Sequence, residues 1–117
     1  GGSQRLLHLI GKGKGLEYLM TAEIISASKA LSLGLVNYVE EDKATAMDKA
    51  QSLLATIATK APLAIGHVIQ CANAVYDESL NGYHEEAKRF GACTATEDFK
   101  EGASAFLEKR KASFKGQ

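Results

Sequence analysis

The strongest evidence for the fold lies in residues 94–111, which read TATEDFKEGASAFLEKRK. Acidic side chains open this stretch and basic ones close it, an order that suits the positive and negative ends of a helix dipole. Thr96 or Asp98 can cap the helix, because short polar side chains accept its first free amide protons. Asp98 and Glu101 also have capping-box spacing. We predict helix here, bent or divided at Gly102 because glycine lowers helix propensity.

Two longer helices are predicted upstream, where apolar residues recur every three or four positions as on one helix face. The first covers residues 43–60, with a stripe made of Ala46, Ala50, Leu53, Leu54, Ile57 and Ala58. Pro62 suits the first turn of the second, whose expected buried face is Leu63, Ile65, Val68, Ile69, Ala72 and Val75. Ser79 is expected to cap a further helix that ends near Cys93.

The first forty residues predict short helices punctuated by glycine. The run Gly11-Lys12-Gly13-Lys14-Gly15 is expected to end one helix and form a solvated connection, since it lacks the spacing of a phosphate-binding Walker loop. Ser26 is placed to cap another helix, which Gly34 ends. Residues 35–39 alternate enough for a short extended segment. The fold class is therefore mainly α, with at most one short extended segment.

Composition excludes several classes of protein. A chain of 117 residues with 45% apolar and 24% charged residues fits one globular domain. Fourteen basic residues balance fourteen acidic ones, which argues against the broad positive surface of a nucleic-acid-binding protein. No apolar run approaches the ~20 residues of a membrane span, and the first residues lack the order of a secretion signal. We expect a cytoplasmic protein with no nucleic-acid or membrane partner.

The residues themselves indicate neither a metal site nor a catalytic group. Cys71 and Cys93 have no further Cys or His at metal-ligand spacing, and we interpret them as buried, unreactive thiols. His84 is followed four residues later by Lys88, not by the second His of a zinc-protease motif. No Ser or Cys lies in a recognisable nucleophile motif.

Several segments, in their order along the chain, resemble the second part of enoyl-CoA hydratases, the crotonase family. They are Gly1-Gly2-Ser3-Gln4-Arg5-Leu6, the Gly-Lys run, Ile25-Ser26-Ala27, Ala30, Gly34-Leu35-Val36 and residues 94–111. In such enzymes an N-terminal spiral domain carries the reaction centre, and a helical C-terminal region makes trimer contacts. The resemblance implies that residues 1–117 are this C-terminal helical region of a crotonase fold, serving oligomerisation and CoA contact, with the N-terminal catalytic spiral domain absent.

The implied activity of the parent protein is that of a lyase in fatty-acid β-oxidation. It hydrates 2-trans-enoyl-CoA reversibly to 3-hydroxyacyl-CoA, with two glutamates as acid and base and two backbone N–H groups as oxyanion donors. These groups would precede Gly1, so the chain alone is expected to be inactive and to contain no catalytic residue. The coenzyme A thioester is the substrate, no separate cofactor is implied, and the intact enzyme is expected to be a homo-oligomer, a trimer or a dimer of trimers.

Three residues match family positions that contact substrate. Phe106 and Lys109 match residues that reach the CoA of a neighbouring subunit, Phe106 by apolar contact and Lys109 by charge with phosphate. Phe90 resembles an aromatic position near the acyl pocket. From the residues alone, Phe106 can equally be core and Lys109 a surface cation at the favourable end of a helix dipole, whereas for Phe90 a place in the core is favoured.

Two alternatives remain open. One is another crotonase-fold CoA enzyme, an isomerase or a dihydroxynaphthoyl-CoA synthase, because the missing half determines the chemistry. The other is a stand-alone, non-catalytic helical interaction module. Against the second alternative we predict that the apolar faces of the two long helices cover another domain and neighbouring subunits, and that their exposure in the isolated chain promotes self-association.

Overall fold

A computed structural model describes residues 1–117 and contains seven α-helices and no β-strand. The helices are α1 (Gly2–Ile10), α2 (Lys12–Thr21), α3 (Ala27–Ser32), α4 (Lys43–Ala58), α5 (Pro62–Ala74), α6 (Gly82–Thr94) and α7 (Glu97–Leu107). The prediction of a mainly α chain is confirmed, and residues 35–39 are irregular. The chain divides into two compact units, Gly1–Lys49 and Ala50–Gln117.

In the first unit, α1 and α2 pack closely against each other. Helix α1 ends at Gly11, whose φ of 83° is readily adopted only by glycine. Gly15 lies on α2 directly against Leu7, and a β-carbon at Gly15 would collide with the Leu7 Cδ2 atom. The predicted end at Gly11 is right, but the predicted connection is wrong because Gly13 and Gly15 are helical. At Gly15 a small residue lies where two helices pack closely, and in the sequence such a glycine cannot be told from a glycine in a turn.

The predicted boundaries of α3 are confirmed by its hydrogen bonds. The Ser26 hydroxyl accepts a hydrogen bond from the Lys29 amide at 3.2 Å, and the chain leaves the helix at Gly34 with φ 74°. Farther along, the Lys49 ammonium lies 4.3 Å from the centre of the Tyr38 ring. This cation–π contact joins the irregular segment after α3 to the first half of α4.

In the second unit, α5 begins at Pro62 as predicted and packs against α6. The residue that caps α6 is Asn81, which accepts a hydrogen bond from the His84 amide at 3.1 Å. The prediction that Ser79 caps this helix is wrong. Its hydroxyl donates instead to the Asp77 carboxylate at 2.6 Å, within the turn that precedes α6.

The face of α5 that packs within the chain is not the predicted one. It consists of small or polar residues that are half-buried or buried, namely Ala64, His67, Cys71 and Ala74. Of the predicted face, Ile65 is half-buried, whereas Val68 and Val75 are 65% and 75% exposed. The apolar stripe of α4 is likewise uncovered, since no residue of that helix is buried. The most hydrophobic surfaces of these helices are therefore free in the chain.

No single helix is long and apolar enough to cross a membrane. Only α4 and α5 taken together meet the requirement of length and composition, and they are bent by 112° at the break between them.

Helix α7 runs without interruption through Gly102, so the predicted division is wrong. Thr96 caps it, accepting a hydrogen bond from the Phe99 amide at 3.1 Å, as one of the two predicted caps. The Phe114 ring packs over Gly102, and a β-carbon at that position would make an ordinary van der Waals contact of 3.4 Å with it. The tail, residues 111–117, thus lies against the helix at this position.

Candidate functional site

Asp98 anchors the tail to the beginning of α7. Its carboxylate oxygens accept hydrogen bonds from the Lys115 and Gly116 amides at 2.7 and 2.8 Å, and its own amide donates to the Gln117 carbonyl at 3.1 Å. The side chain is only 3% exposed. Asp98 is thus a tail anchor, not the helix cap or capping-box residue that its position suggested, because Thr96 already provides the cap.

Glu101 forms a second attachment one turn later. Its two carboxylate oxygens accept hydrogen bonds from Arg110 Nη1 and Nη2 at 2.6 and 2.9 Å, and Oε1 also accepts from the Ser113 amide at 2.8 Å. Such paired bonds between a guanidinium and a carboxylate are strong and fix the planes of both groups. The Arg110 hydrogen bonds, and then that of Ser113, lower the pKa of Glu101 from 4.5 to about 2.

The turn that ends α7 holds Lys109 in an uncommon conformation. The Lys109 amide donates to the Phe106 carbonyl at 3.3 Å, and the Arg110 amide donates to the Ala105 carbonyl at 3.0 Å. This pair of bonds is a Schellman motif, in which the residue at Lys109 is usually glycine. Lys109 nevertheless has φ 54°, a left-handed conformation that costs an ordinary residue about 1–2 kcal/mol.

The side chain of Lys109 is available to a ligand. It is exposed and makes no hydrogen bond or ion pair within the chain, whereas the neighbouring Arg110 is bonded to both Glu101 and Glu108. The one cation of this turn with a free charge is therefore Lys109. Its ammonium can pair with an anionic group such as a phosphate.

The two aromatic candidates are also exposed. Phe106 lies one turn before Lys109 and is 83% exposed, and Phe90 lies on α6 and is 67% exposed. The interpretation of either ring as core is therefore wrong for this chain, because the inward position on α7 belongs to the buried Ala105. The structure brings Phe106 and Lys109 together at the end of α7, while Phe90 belongs to a different helix.

The cysteines and the other titratable residues form no further site. Cys71 and Cys93 are free thiols. Both are half-buried, whereas the sequence predicted that they would be buried. No group of three or more His, Cys, Asp or Glu side chains is placed to hold a metal ion.

Comparisons with known proteins place these features in a larger context. The model of the family described as enoyl-CoA hydratase/isomerase matches residues 1–117. The chain is 44% identical over 119 residues to a probable enoyl-CoA hydratase of Bacillus subtilis, covering 99% of this chain and 45% of that protein. It is 39% identical over 115 residues to a crotonyl-CoA hydratase of Syntrophomonas wolfei, covering 97% of this chain and 44% of that protein.

A solved structure gives the same result for the fold. The crystal structure of an enoyl-CoA hydratase from Bacillus anthracis superimposes on the whole chain with a TM-score of 0.90 at 33% sequence identity. The superposition covers 45% of that protein. The chain thus spans somewhat less than half the length of these relatives.

Proposed function

The chain belongs to the enoyl-CoA hydratase/isomerase family, and on that premise we propose that it is the C-terminal helical portion of an enoyl-CoA hydratase. The complete enzyme adds water reversibly to a 2-trans-enoyl-CoA and gives a 3-hydroxyacyl-CoA, a step of fatty-acid degradation. The hydratase names of the relatives support this reaction. The chain's coverage of 44–45% of their length supports its assignment as one portion of the enzyme.

Within that enzyme the end of α7 contacts coenzyme A. The CoA in question is bound by a neighbouring subunit. Phe106 offers it an apolar ring, and Lys109 offers a positive charge to one of its phosphates. Phe90 lies near the acyl group. The observation that carries this assignment is the pairing, at one helix end, of an exposed ring with a cation that has no partner in the chain.

The large aliphatic residues on α4 and α5 serve assembly. They cover the catalytic portion and neighbouring subunits in a homo-oligomer, a trimer or a dimer of trimers. The exposure of Val68 and Val75 supports this role, because contiguous apolar surface on a folded chain marks an interaction site. The thioester substrate brings its own reactive group, so the reaction calls for no separate cofactor.

The test uses the protein encoded by the complete reading frame that contains these residues. Incubated with crotonyl-CoA, it should form 3-hydroxybutyryl-CoA, measured by chromatography of the thioesters. Absence of hydration, together with isomerisation of a 3-enoyl-CoA, would instead assign the chain to another enzyme of the same fold.

The CoA contact is tested separately with Lys109→Ala in that protein. We expect KM for crotonyl-CoA to rise about two- to fivefold, as for an exposed ion pair, and KM for crotonyl-pantetheine, which lacks the nucleotide phosphates, to stay unchanged. Lys111→Ala, which removes a nearby exposed lysine, is the control and should alter neither constant. Equal effects of Lys109→Ala on both substrates would reject the phosphate contact.

A further inference from the structure

We propose that Glu101 and Arg110 are positioning residues that hold Lys109 in place for its CoA phosphate, an inference that rests on the proposed function. Neither side chain touches the ligand in this proposal. Each acts through the backbone of the turn that carries Lys109.

The first support is the set of bonds on both sides of Lys109. Arg110, which follows it, places its guanidinium across both carboxylate oxygens of Glu101 on α7. The same guanidinium binds the carboxylate of Glu108, which precedes Lys109. The Arg110 guanidinium therefore links the two residues that flank Lys109 to each other, and it also ties them to Glu101 on α7.

The second support is the conformation of Lys109 itself. The left-handed φ of 54° is costly for a non-glycine residue, so the turn needs restraints that hold Lys109 in it. Here the Schellman bonds and the Glu101–Arg110 pair supply that restraint. Without the Glu101–Arg110 pair, Lys109 is free to relax to a negative φ, and its ammonium is then no longer held where the phosphate binds.

The third support is the route of the tail. The Ser113 amide donates to Glu101 Oε1, so the same carboxylate fixes the chain on both sides of the turn. A lysine side chain is flexible, and ordering it on binding costs conformational entropy. Fixing the backbone beneath it lowers the remaining cost, which is how preorganisation raises affinity.

Glu101→Gln in the complete enzyme tests the proposal by the sign of its effect. Removing a negative charge near Lys109 should strengthen phosphate binding if simple electrostatics governs the site. Positioning predicts the opposite, a KM for crotonyl-CoA about two- to fivefold higher, with kcat and the KM for crotonyl-pantetheine unchanged. Glu97→Gln is the matched control, since it removes the same charge from an exposed pair with Lys100 at the other end of α7 and should not raise KM.

A double substitution shows whether Glu101 acts through Lys109. Lys109→Ala combined with Glu101→Gln should lose no more affinity than Lys109→Ala alone, because coupled residues are not additive. An unchanged or lower KM for Glu101→Gln, with Lys109→Ala still raising it, would overturn the positioning role alone. If Lys109→Ala also has no effect, the phosphate contact fails and the positioning role fails with it.

Two further variants keep the proposal testable if Glu101→Gln folds poorly. Arg110→Lys keeps the charge but cannot form the paired bonds, and it should raise KM for crotonyl-CoA in the same way. Lys109→Gly should raise the midpoint of thermal unfolding, because glycine accepts the left-handed φ without strain, while it removes the preference for CoA over pantetheine. A lower midpoint for Lys109→Gly, or no effect of Arg110→Lys on KM, would contradict the proposal.

Discussion

At the scale of single residues, Asp98 shows where local sequence information ends. An acidic residue at the start of a helix predicts a cap, and the sequence offers Thr96 and Asp98 as the candidates, of which Thr96 is the cap. Choosing between them requires knowing the partners of Asp98, which are amides 17 and 18 residues farther along the chain. That pairing depends on the path of the tail, for which residues 94–111 contain no periodic signal.

Replacing Asp98 by Ala should destabilise the fold by about 2–3 kcal/mol, because hydrogen bonds to a buried charged group are lost and two amides lose their partner. Urea denaturation followed by circular dichroism measures the change. Glu97→Ala, the adjacent exposed carboxylate, is the control and should change stability by less than about 1 kcal/mol. Equal losses in the two variants would show that the tail is not held by Asp98.

Because Glu101 holds the tail as a carboxylate, acid should weaken the attachment of the tail to α7. The pKa of Glu101 is lowered to about 2 by Arg110 and then Ser113, so the folded chain favours the ionised carboxylate. The resulting stabilisation is complete above the unfolded pKa near 4.5 and is lost as the pH falls from there towards 2. The chemical shift of the Ser113 amide should therefore titrate near pH 2 in NMR spectra. A titration near pH 4.5, or the same titration in Glu101→Gln, would contradict this assignment.

At the scale of elements, the sequence predicted helix ends better than helix faces. Pro62, Ser26 and Thr96 begin helices as expected, because each acts within a few residues. Periodicity predicts that α5 buries its large aliphatic residues, whereas the chain buries the side that carries Ala74. Small residues let α6 approach, whereas the larger ones remain exposed. A single sequence does not reveal which partner a helix face meets.

The uncovered face of α5 should cause the isolated chain to self-associate. Light scattering should show a mass that rises with concentration, because exposed apolar surface drives association. Val68→Lys should reduce this rise, whereas Gln70→Lys adds the same charge at an exposed polar position of the same helix and should not. A stable monomer at high concentration would count against an interaction role for this face.

At the scale of the whole molecule, the amount of buried structure is small. Only Gly15, Ala74, Asp98 and Ala105 are buried, and none of them is a large apolar side chain. Mainly α structure could be predicted from helix periodicity, but a core formed by other polypeptide leaves the same periodicity as one formed within the chain. The candidate residues Phe90, Phe106 and Lys109 came from family resemblance, since local physics alone left room for a core position for both rings.

The isolated 117-residue chain should not hydrate crotonyl-CoA. In our proposal the catalytic carboxylates and the oxyanion donors belong to the other portion of the enzyme, and without them the barrier is not lowered. Product formation is measured with purified chain whose mass excludes longer material, beside the protein from the complete reading frame as a positive control. Turnover by the 117-residue chain would refute the assignment of the catalytic groups to the other portion of the enzyme.

Gly15, packed against Leu7, has a consequence for mutational profiling. In a saturation library selected for function, this position should tolerate large side chains poorly, since even a β-carbon there displaces the Leu7 Cδ2 atom. It stands in a run of glycines and lysines, so such intolerance could be mistaken for a role in anion binding. The cause is purely steric, and the neighbouring Gly13, with open space around it, should accept alanine in the same experiment.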